Sequence, residues 1–318
     1  MRIHYWLMVL FLAMPMRSAQ ATPAANATTP QTAAGPGKSA QSPQTRALPS
    51  TVGENQTVTV KKDQTLLKIA LHYGLGAEHV AMANHVDLNA KLHAGQKLLI
   101  PGRRILPPDA PADGIVVNIP ERMLYLFRHG HFIKYYPVAI GRGTHDTPLG
   151  KFKITRLVKN PTWLPPAWAG KGEAVIKPGP GNPLGDRWIG ISAKGIGFHA
   201  TADLNSVGTV ASHGCMRMIP EMVNELFHQV YVGMPVRIEY ATARLGRDAK
   251  SQQICAAAFP DVYHLKSPQT ELSRLARADG VTNSLKAAQI ERLSRQPSGC
   301  ALSLKNLTAA SSHQTARR

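Results

Sequence analysis

The stretch GIVVNIPERMLYLFRHGHFIKYYPVAIG, residues 114 to 141, constrains the chain more than any other. Apolar and polar residues alternate along it, and a period of two places successive side chains on opposite faces of a strand rather than along one stripe of a helix. His129-Gly130 interrupts the alternation with a pair suited to a tight turn, which predicts two strands joined as a hairpin. GKFKITRLV, RWIGIS and PVRIEY repeat the pattern downstream, and helical spacing returns mainly in IPEMVNELFHQV. The expectation is a mainly β domain over residues 115–240 with few helices, long enough to bury a core of its own.

The N-terminus, MRIHYWLMVLFLAMPMRSAQA, has a positive start at Arg2, an apolar run from Tyr5 to Met16 and an Ala19-Gln20-Ala21 ending. That is the layout of a signal peptide over residues 1–21. The run falls short of the roughly 18 to 20 residues that span a bilayer as a helix, so the mature chain is expected to be exported to the periplasm or cell envelope. Lys and Arg number 37 against 19 Asp and Glu, a formal charge of +18, so the surface attracts polyanions. Export argues against nucleic acid as a partner and leaves anionic wall polymer or lipid headgroups. Residues 22–56 are rich in Thr, Ala, Pro, Gln, Ser and Gly, with Pro23, Pro30, Pro36, Pro43 and Pro49 spread through them. So little apolar surface predicts a disordered linker.

Residues 57–101 change texture. Val58 and Val60 alternate like a strand; Asp63 or Thr65 can cap a helix carrying Leu66, Leu67, Ile69, Ala70 and Tyr73, ended by Gly74 or Gly76. A second helix fits Ala77 to Asn84, and Lys97 to Ile100 forms a closing strand before Pro101. This βααβ unit, through TVTVKKDQTLLKIALHYG and MANHVDLNAKLHAGQKLLIP, resembles the lysin motif (LysM), a small α+β module that binds glycans such as peptidoglycan. Gln64 follows Asp63 where that family commonly has a Gly-Asp turn.

GFHATADLNSVGTVASHGCMRM, residues 197 to 218, concentrates the chemistry. Its thiol follows a glycine between expected β structure and a helix starting near Pro220. Crowded backbone N–H groups in such a turn lower a thiol pKa and hold a developing oxyanion. Acyl transfer needs a nucleophile, a base and that anion pocket; Cys215 supplies the first, His199 or His213 the second, and the amides of His213, Gly214 and Cys215 the third. A metal site built from Cys215, His199 and His213 lacks a fourth ligand and the usual zinc spacings. Three cysteines in an exported chain leave one unpaired. Cys255 and Cys300 both lie beyond the β domain, and a bridge between them would leave Cys215 free.

At these residues the chain resembles the L,D-transpeptidase family with the YkuD-type catalytic domain: HATADLNSVGTVASHGCMRM matches its histidine, intervening loop and Ser-His-Gly-Cys, and TPLGKFKIT at 147–155 matches upstream. The resemblance implies a multidomain protein with a β-sandwich catalytic domain, no cofactor and no metal. It implies attack on the bond between diaminopimelate and D-Ala of peptidoglycan stem tetrapeptides, with transfer of the acyl group to an amine. The product would be a 3-3 crosslink or a lipoprotein anchored to the wall; water as acceptor would give an L,D-carboxypeptidase, and a lapsed site a wall-binding scaffold. Cys215 is then the nucleophile, His199 the base held by a nearby carbonyl, with His213 and Gly214 forming the anion pocket and Ser212 and Arg217 supporting it or touching substrate. Of the two histidines, His199 is favoured because it arrives from another strand. Ala200 stands where that family often has Gly. A LysM module on a flexible tether would raise the local concentration of stems near the site. The basic extension at 241–318 has helical spacing in LSRLARADG and SLKAAQIERLSR, with Gly280 and Gly299 as stops.

Overall fold

The computed structural model describes residues 47–166, 170, 174–305 and 307. The expected signal peptide at 1–21, and the expected linker as far as residue 46, lie outside the described residues. The end of that linker is ordered, a correction to the expected boundary: β1 (Thr51–Val52) pairs antiparallel with β4 (Arg104–Ile105).

Between these two strands lies the βααβ unit. β2 (Gln56–Thr59) pairs with β3 (Lys97–Ile100), and α1 (Leu66–His72) and α2 (Ala77–Asn84) connect them. Thr65 caps α1 by accepting the Lys68 N–H at 3.2 Å, and Gly74 at φ +68 follows its end. The Asn84 side chain accepts the Leu99 N–H at 2.7 Å and donates to the Leu99 carbonyl at 2.8 Å, which fastens α2 to β3.

The central domain is a mixed eight-stranded sheet. In chain order its elements are β5 (Gly114–Asn118), β6 (Met123–Arg128), β7 (His131–Pro137), β8 (Ile140–Gly141), β9 (Gly150–Lys159), β10 (Arg187–Ile191), β11 (Gly197–Ala200), β12 (Val210–Ser212), β13 (Met216–Met218), α3 (Pro220–Gln229) and β14 (Pro235–Glu239). The sheet order is β13-β11-β10-β9-β14-β5-β6-β7, with β8 and β12 forming a separate parallel pair. The hairpin falls where expected, with His129 at φ +51 and Gly130 at φ +78 between β6 and β7. The mainly β architecture with few helices is as expected.

β5 and the Met123–Phe127 part of β6 are buried on both faces, whereas simple alternation predicts one wet face. Ile115, Val117, Leu124 and Leu126 enter the domain's own core with Phe198, Met216, Val223 and Leu226. Val116, Met123, Tyr125 and Phe127 point the other way, into one cluster with Leu66, Ile69, Leu75, Val80, Leu98 and Ile100 of the βααβ unit. The βααβ unit therefore packs on the back of the eight-stranded sheet, which corrects the expectation of a module on a flexible tether. The packing is close: a Cβ on Gly76 would lie 2.1 Å from the Val207 carbonyl oxygen, in the loop between His199 and Ser212.

The extension adds a three-stranded antiparallel sheet, β15 (Ala243–Arg247), β16 (Ile254–Ala258) and β17 (Leu302–Ser303), covered by α4 (Pro268–Ala278) and α5 (Ala287–Arg295). Its other face meets Ile105 of β4 through Cys255, Ala257, Phe259 and Ala301. At the junction of all three regions Glu121 is 1% exposed and accepts from Tyr125 Oη at 2.7 Å and from Arg104 Nη1 at 3.4 Å, with Arg244 Nε 3.8 Å away. The expected Cys255–Cys300 bridge is not formed: both thiols are free and buried, and the β16–β17 register pairs Cys255 with Ser303. Burial raises both thiols, Cys300 to about 11. Among the described residues no helix is long and apolar enough to cross a membrane.

Candidate active site

β11 and β13 run parallel and adjacent, pairing Phe198 with Met216 and His199 with Arg217. Phe198 and Met216 fill the core, so alternation sends His199 and Arg217 to the opposite face, beside the turn that carries Cys215. That turn is Ser212-His213-Gly214-Cys215, leading from β12 into β13. Gly214 sits at φ +100, and a Cβ there would meet Ile196 Cδ1 at 3.0 Å, so the position demands glycine on both counts.

Ser212 holds the turn from inside. Its hydroxyl donates to the Cys215 carbonyl at 2.5 Å and accepts the Gly214 N–H at 3.1 Å. The Gly214 amide is thus committed, and it is not free for the anion-binding role expected of it. The Cys215 N–H makes no hydrogen bond among the described residues and remains available to an oxyanion.

Cys215 Sγ donates to the Gly195 carbonyl at 3.3 Å and is hydrogen-bonded to neither histidine. Burial raises its pKa, opposed by the Gly197 N–H and the Arg217 charge, so the resting group is a thiol. His199 Nδ1 lies 2.7 Å from the Ala200 carbonyl, an acceptor only, so Nδ1 carries the proton and Nε2 is the basic nitrogen of the neutral ring. Burial lowers its pKa to about 4, against the pull of the Ala200 and Pro183 carbonyls and with Arg217 adding to the depression. The imidazole also stacks on Trp188, its cross-strand partner, at 5.9 Å and 28°. The indole fits because residue 197 is glycine: a Cβ there would lie 2.8 Å from the ring.

His213 is more open and stands edge-on to His145 at 5.0 Å. Burial, His145, Arg142 and Arg217 all lower its pKa. Arg217 makes no ion pair among the described residues, which leaves a half-buried cation next to the thiol. Nor does any group of three or more His, Cys, Asp or Glu among these residues form a metal-ligand cluster.

Sequence reasoning passed over His145, Trp188 and the bracing role of Thr147. Thr147 lies inside the TPLGKFKIT motif, but nothing in a sequence shows that its hydroxyl accepts the Gly141 N–H and donates to the Gly214 carbonyl, each at 2.9 Å. Clefts of about 520 and 400 Å³ open beside the βααβ unit, both bordered by Glu78 and Leu88; neither is lined by Cys215 or His199.

A family profile for the L,D-transpeptidase catalytic domain (YkuD) matches residues 112–238, and one for the LysM domain matches residues 58–101. The chain is 31% identical over 179 residues to a Bacillus licheniformis protein named as an L,D-transpeptidase, YkuD, covering 56% of this chain and 96% of that protein. The Bacillus subtilis YkuD is 33% identical over 183 residues, covering 57% and 98%. YbiS of Escherichia coli K12, also named as an L,D-transpeptidase, is 33% identical over 198 residues, covering 58% of this chain and 64% of its own length.

Proposed function

Because the chain belongs to the L,D-transpeptidase family, we propose that Cys215 forms an acyl-enzyme with peptidoglycan stem tetrapeptides and passes the acyl group to an amine. The observation that carries this reading is the pairing of a neutral thiol with a neutral, tautomer-fixed His199 on neighbouring strands. In such a pair the thiol gives its proton to Nε2 as sulfur attacks the carbonyl of the third stem residue. The tetrahedral oxyanion falls where the Cys215 N–H can meet it. The C–N bond to D-Ala then breaks, the departing amine takes the proton from His199, and a thioester remains. An acceptor amine attacks the thioester, the thiolate leaves, and the proton returns to sulfur.

Two cations, Arg217 beside the thiol and Arg142 beside His213, suit the carboxylates of a stem peptide. The LysM module supports a glycan as the larger partner, and export to the envelope follows from where that substrate is found. Diaminopimelate as acceptor would give 3-3 crosslinks, a lipoprotein amine would give wall anchoring, and water would give carboxypeptidase activity.

The test is incubation of the purified chain with sacculi, followed by mass analysis of muropeptides. Transpeptidation appears as crosslinked dimers with release of D-Ala, hydrolysis as tripeptides alone. Unchanged tetrapeptides, together with no carbapenem adduct on Cys215, would sink the enzymatic reading and leave a wall-binding scaffold.

A further inference from the structure

The family profile ends at residue 238, yet a side chain from the extension reaches the loop that braces the catalytic turn. Tyr263 Oη donates to the Gly141 carbonyl at 3.0 Å and accepts the Thr147 N–H at 3.1 Å. It thereby closes the two ends of the 141–147 loop against each other. The Thr147 side chain, 1% exposed, repeats the closure from within, taking the Gly141 N–H and giving its one proton to the Gly214 carbonyl.

The Gly214 carbonyl and the Cys215 N–H belong to one planar trans peptide, so they point in opposite directions and turn together. Anchoring the carbonyl on Thr147 aims the N–H. That N–H makes no hydrogen bond among the described residues, so its direction bears on how well an oxyanion is met. Resting on the acyl-enzyme reading above, we infer that Tyr263 is a positioning residue for the reaction: through Thr147 and the Gly214 carbonyl it orients the Cys215 N–H toward the developing oxyanion.

Tyr263 is itself fixed for this task. Its ring stacks on Tyr240 at 5.8 Å and 26°, and its N–H donates to Tyr240 Oη at 2.8 Å. Tyr240 Oη in turn donates to Asp261 at 2.5 Å, and the same carboxylate accepts the Leu265 N–H at 2.9 Å. Burial raises the Tyr263 phenol, so it remains a donor at neutral pH. The catalytic domain thus borrows part of its active-site support from a segment outside the matched family region.

The experiment compares two reactions of the same thiol in the full chain. Acylation by a carbapenem builds an oxyanion, whereas alkylation by iodoacetamide displaces iodide and builds none. Removing an oxyanion donor costs about 100- to 1000-fold in rate, and misaiming one should cost roughly 10-fold or more. Tyr263→Phe is therefore expected to slow acylation by about that factor while leaving alkylation within about twofold of wild type. Thr147→Val should do the same, Thr147→Ser should restore the acylation rate, and the double variant Tyr263→Phe/Thr147→Val should be no slower than the worse single one.

Equal acylation by wild type and Tyr263→Phe would overturn the inference. So would a parallel change in both reactions, which would mean that Tyr263 controls access to the thiol or the fold rather than the amide. The Thr147 pair of variants decides the matter independently if Tyr263→Phe does not fold. Failure of the wild type itself to acylate, with alkylation intact, would instead count against the acyl-enzyme reading on which the inference rests.

Discussion

The seam between the LysM module and the catalytic sheet, and the turn that carries Cys215, are built from opposite materials. The seam joins apolar side chains from both sides, Val116, Met123, Tyr125 and Phe127 against Leu66, Ile69, Val80 and Leu98, around a buried charge cluster. The turn is held by hydroxyls on backbone groups, Ser212 from within and Thr147 from outside. Apolar burial is non-directional and adds up over area, so the seam is a source of stability that tolerates small shifts. A hydrogen bond contributes little net free energy but fixes a direction. The molecule therefore spends its packing on holding the regions together and its directional contacts on aiming the reactive group.

The sharpest way to break this contrast is to remove the module. Fully burying a large apolar side chain is worth about 1.5–3 kcal/mol. Re-exposing the four from the catalytic sheet therefore forfeits roughly 6–12 kcal/mol, comparable to the whole stability of a typical domain. Deleting residues 57–101 should yield protein that is insoluble or binds a hydrophobic dye without a cooperative melt, and its turnover of a soluble tetrapeptide should be lost with the fold. A monodisperse variant with unaltered activity would mean that the seam is a loose contact.

Cys215→Ala probes the other side of the comparison. It deletes the proposed nucleophile and no packing contact of the seam, so the carbapenem adduct expected of the wild type by mass spectrometry should be absent. The melting temperature should stay within a few degrees of wild type, and sacculus binding should persist. An adduct retained by the alanine variant would remove Cys215 from its assigned role.

Regular elements were legible where alternation or turn residues mark them, as in β3 and the hairpin, and where glycine and the following loop bound a short helix, as in α2. α2, β3 and the His129-Gly130 hairpin fall on the expected residues. The seam was hidden because MLYLF in β6 is apolar at every position, a mark of burial on both faces that simple alternation overlooks. β16 was missed for the same reason: Ala256 and Ala258 face one cluster while Cys255, Ala257 and Phe259 face another. In the site, the thiol, the two histidines and Ser212 could be picked out by residue type. The use of Gly214, however, depends on which amide Ser212 has already taken, and Tyr263 acts through backbone groups that leave no trace in a sequence.

Glu121→Ala should separate stability from chemistry by a smaller amount. It leaves the Arg104 guanidinium, 1% exposed, without its carboxylate, while Arg244, 3% exposed, keeps Glu239. Removing one partner of a buried ion pair typically costs about 3–5 kcal/mol. Denaturant midpoints should fall accordingly, while acylation of the variant that remains folded at low temperature should match wild type, since Glu121 makes no contact with the catalytic turn. Unchanged midpoints would mean that the cluster is solvated; slowed acylation in folded protein would mean that seam and turn are coupled.

The smallest effect is a pH dependence shared by both regions, because each buries a neutral imidazole. His199 in the site is held at about 4, and burial, aided by Arg104 and Arg122, pushes His79 in the seam well below the ordinary histidine value while its Nε2 lies 3.1 Å from the Glu121 carbonyl. The unfolded chain protonates both near pH 6.5 and the folded chain does not, so the unfolded state binds more protons between that pH and the folded values. Stability is then full above about pH 6.5 and declines as the pH falls toward 4, with at most about 3 kcal/mol from His199. Urea midpoints measured from pH 7 down to pH 5, above the ordinary carboxylate range, should fall steadily. In His199→Asn and His79→Asn the slope should flatten, each by its own share. A slope that neither variant changes would place the titrating group elsewhere. Flattening by His79→Asn alone would mean that the ring in the catalytic site is solvated enough to protonate in the folded state, and the neutral thiol–imidazole pair proposed for the site would then fail near pH 6.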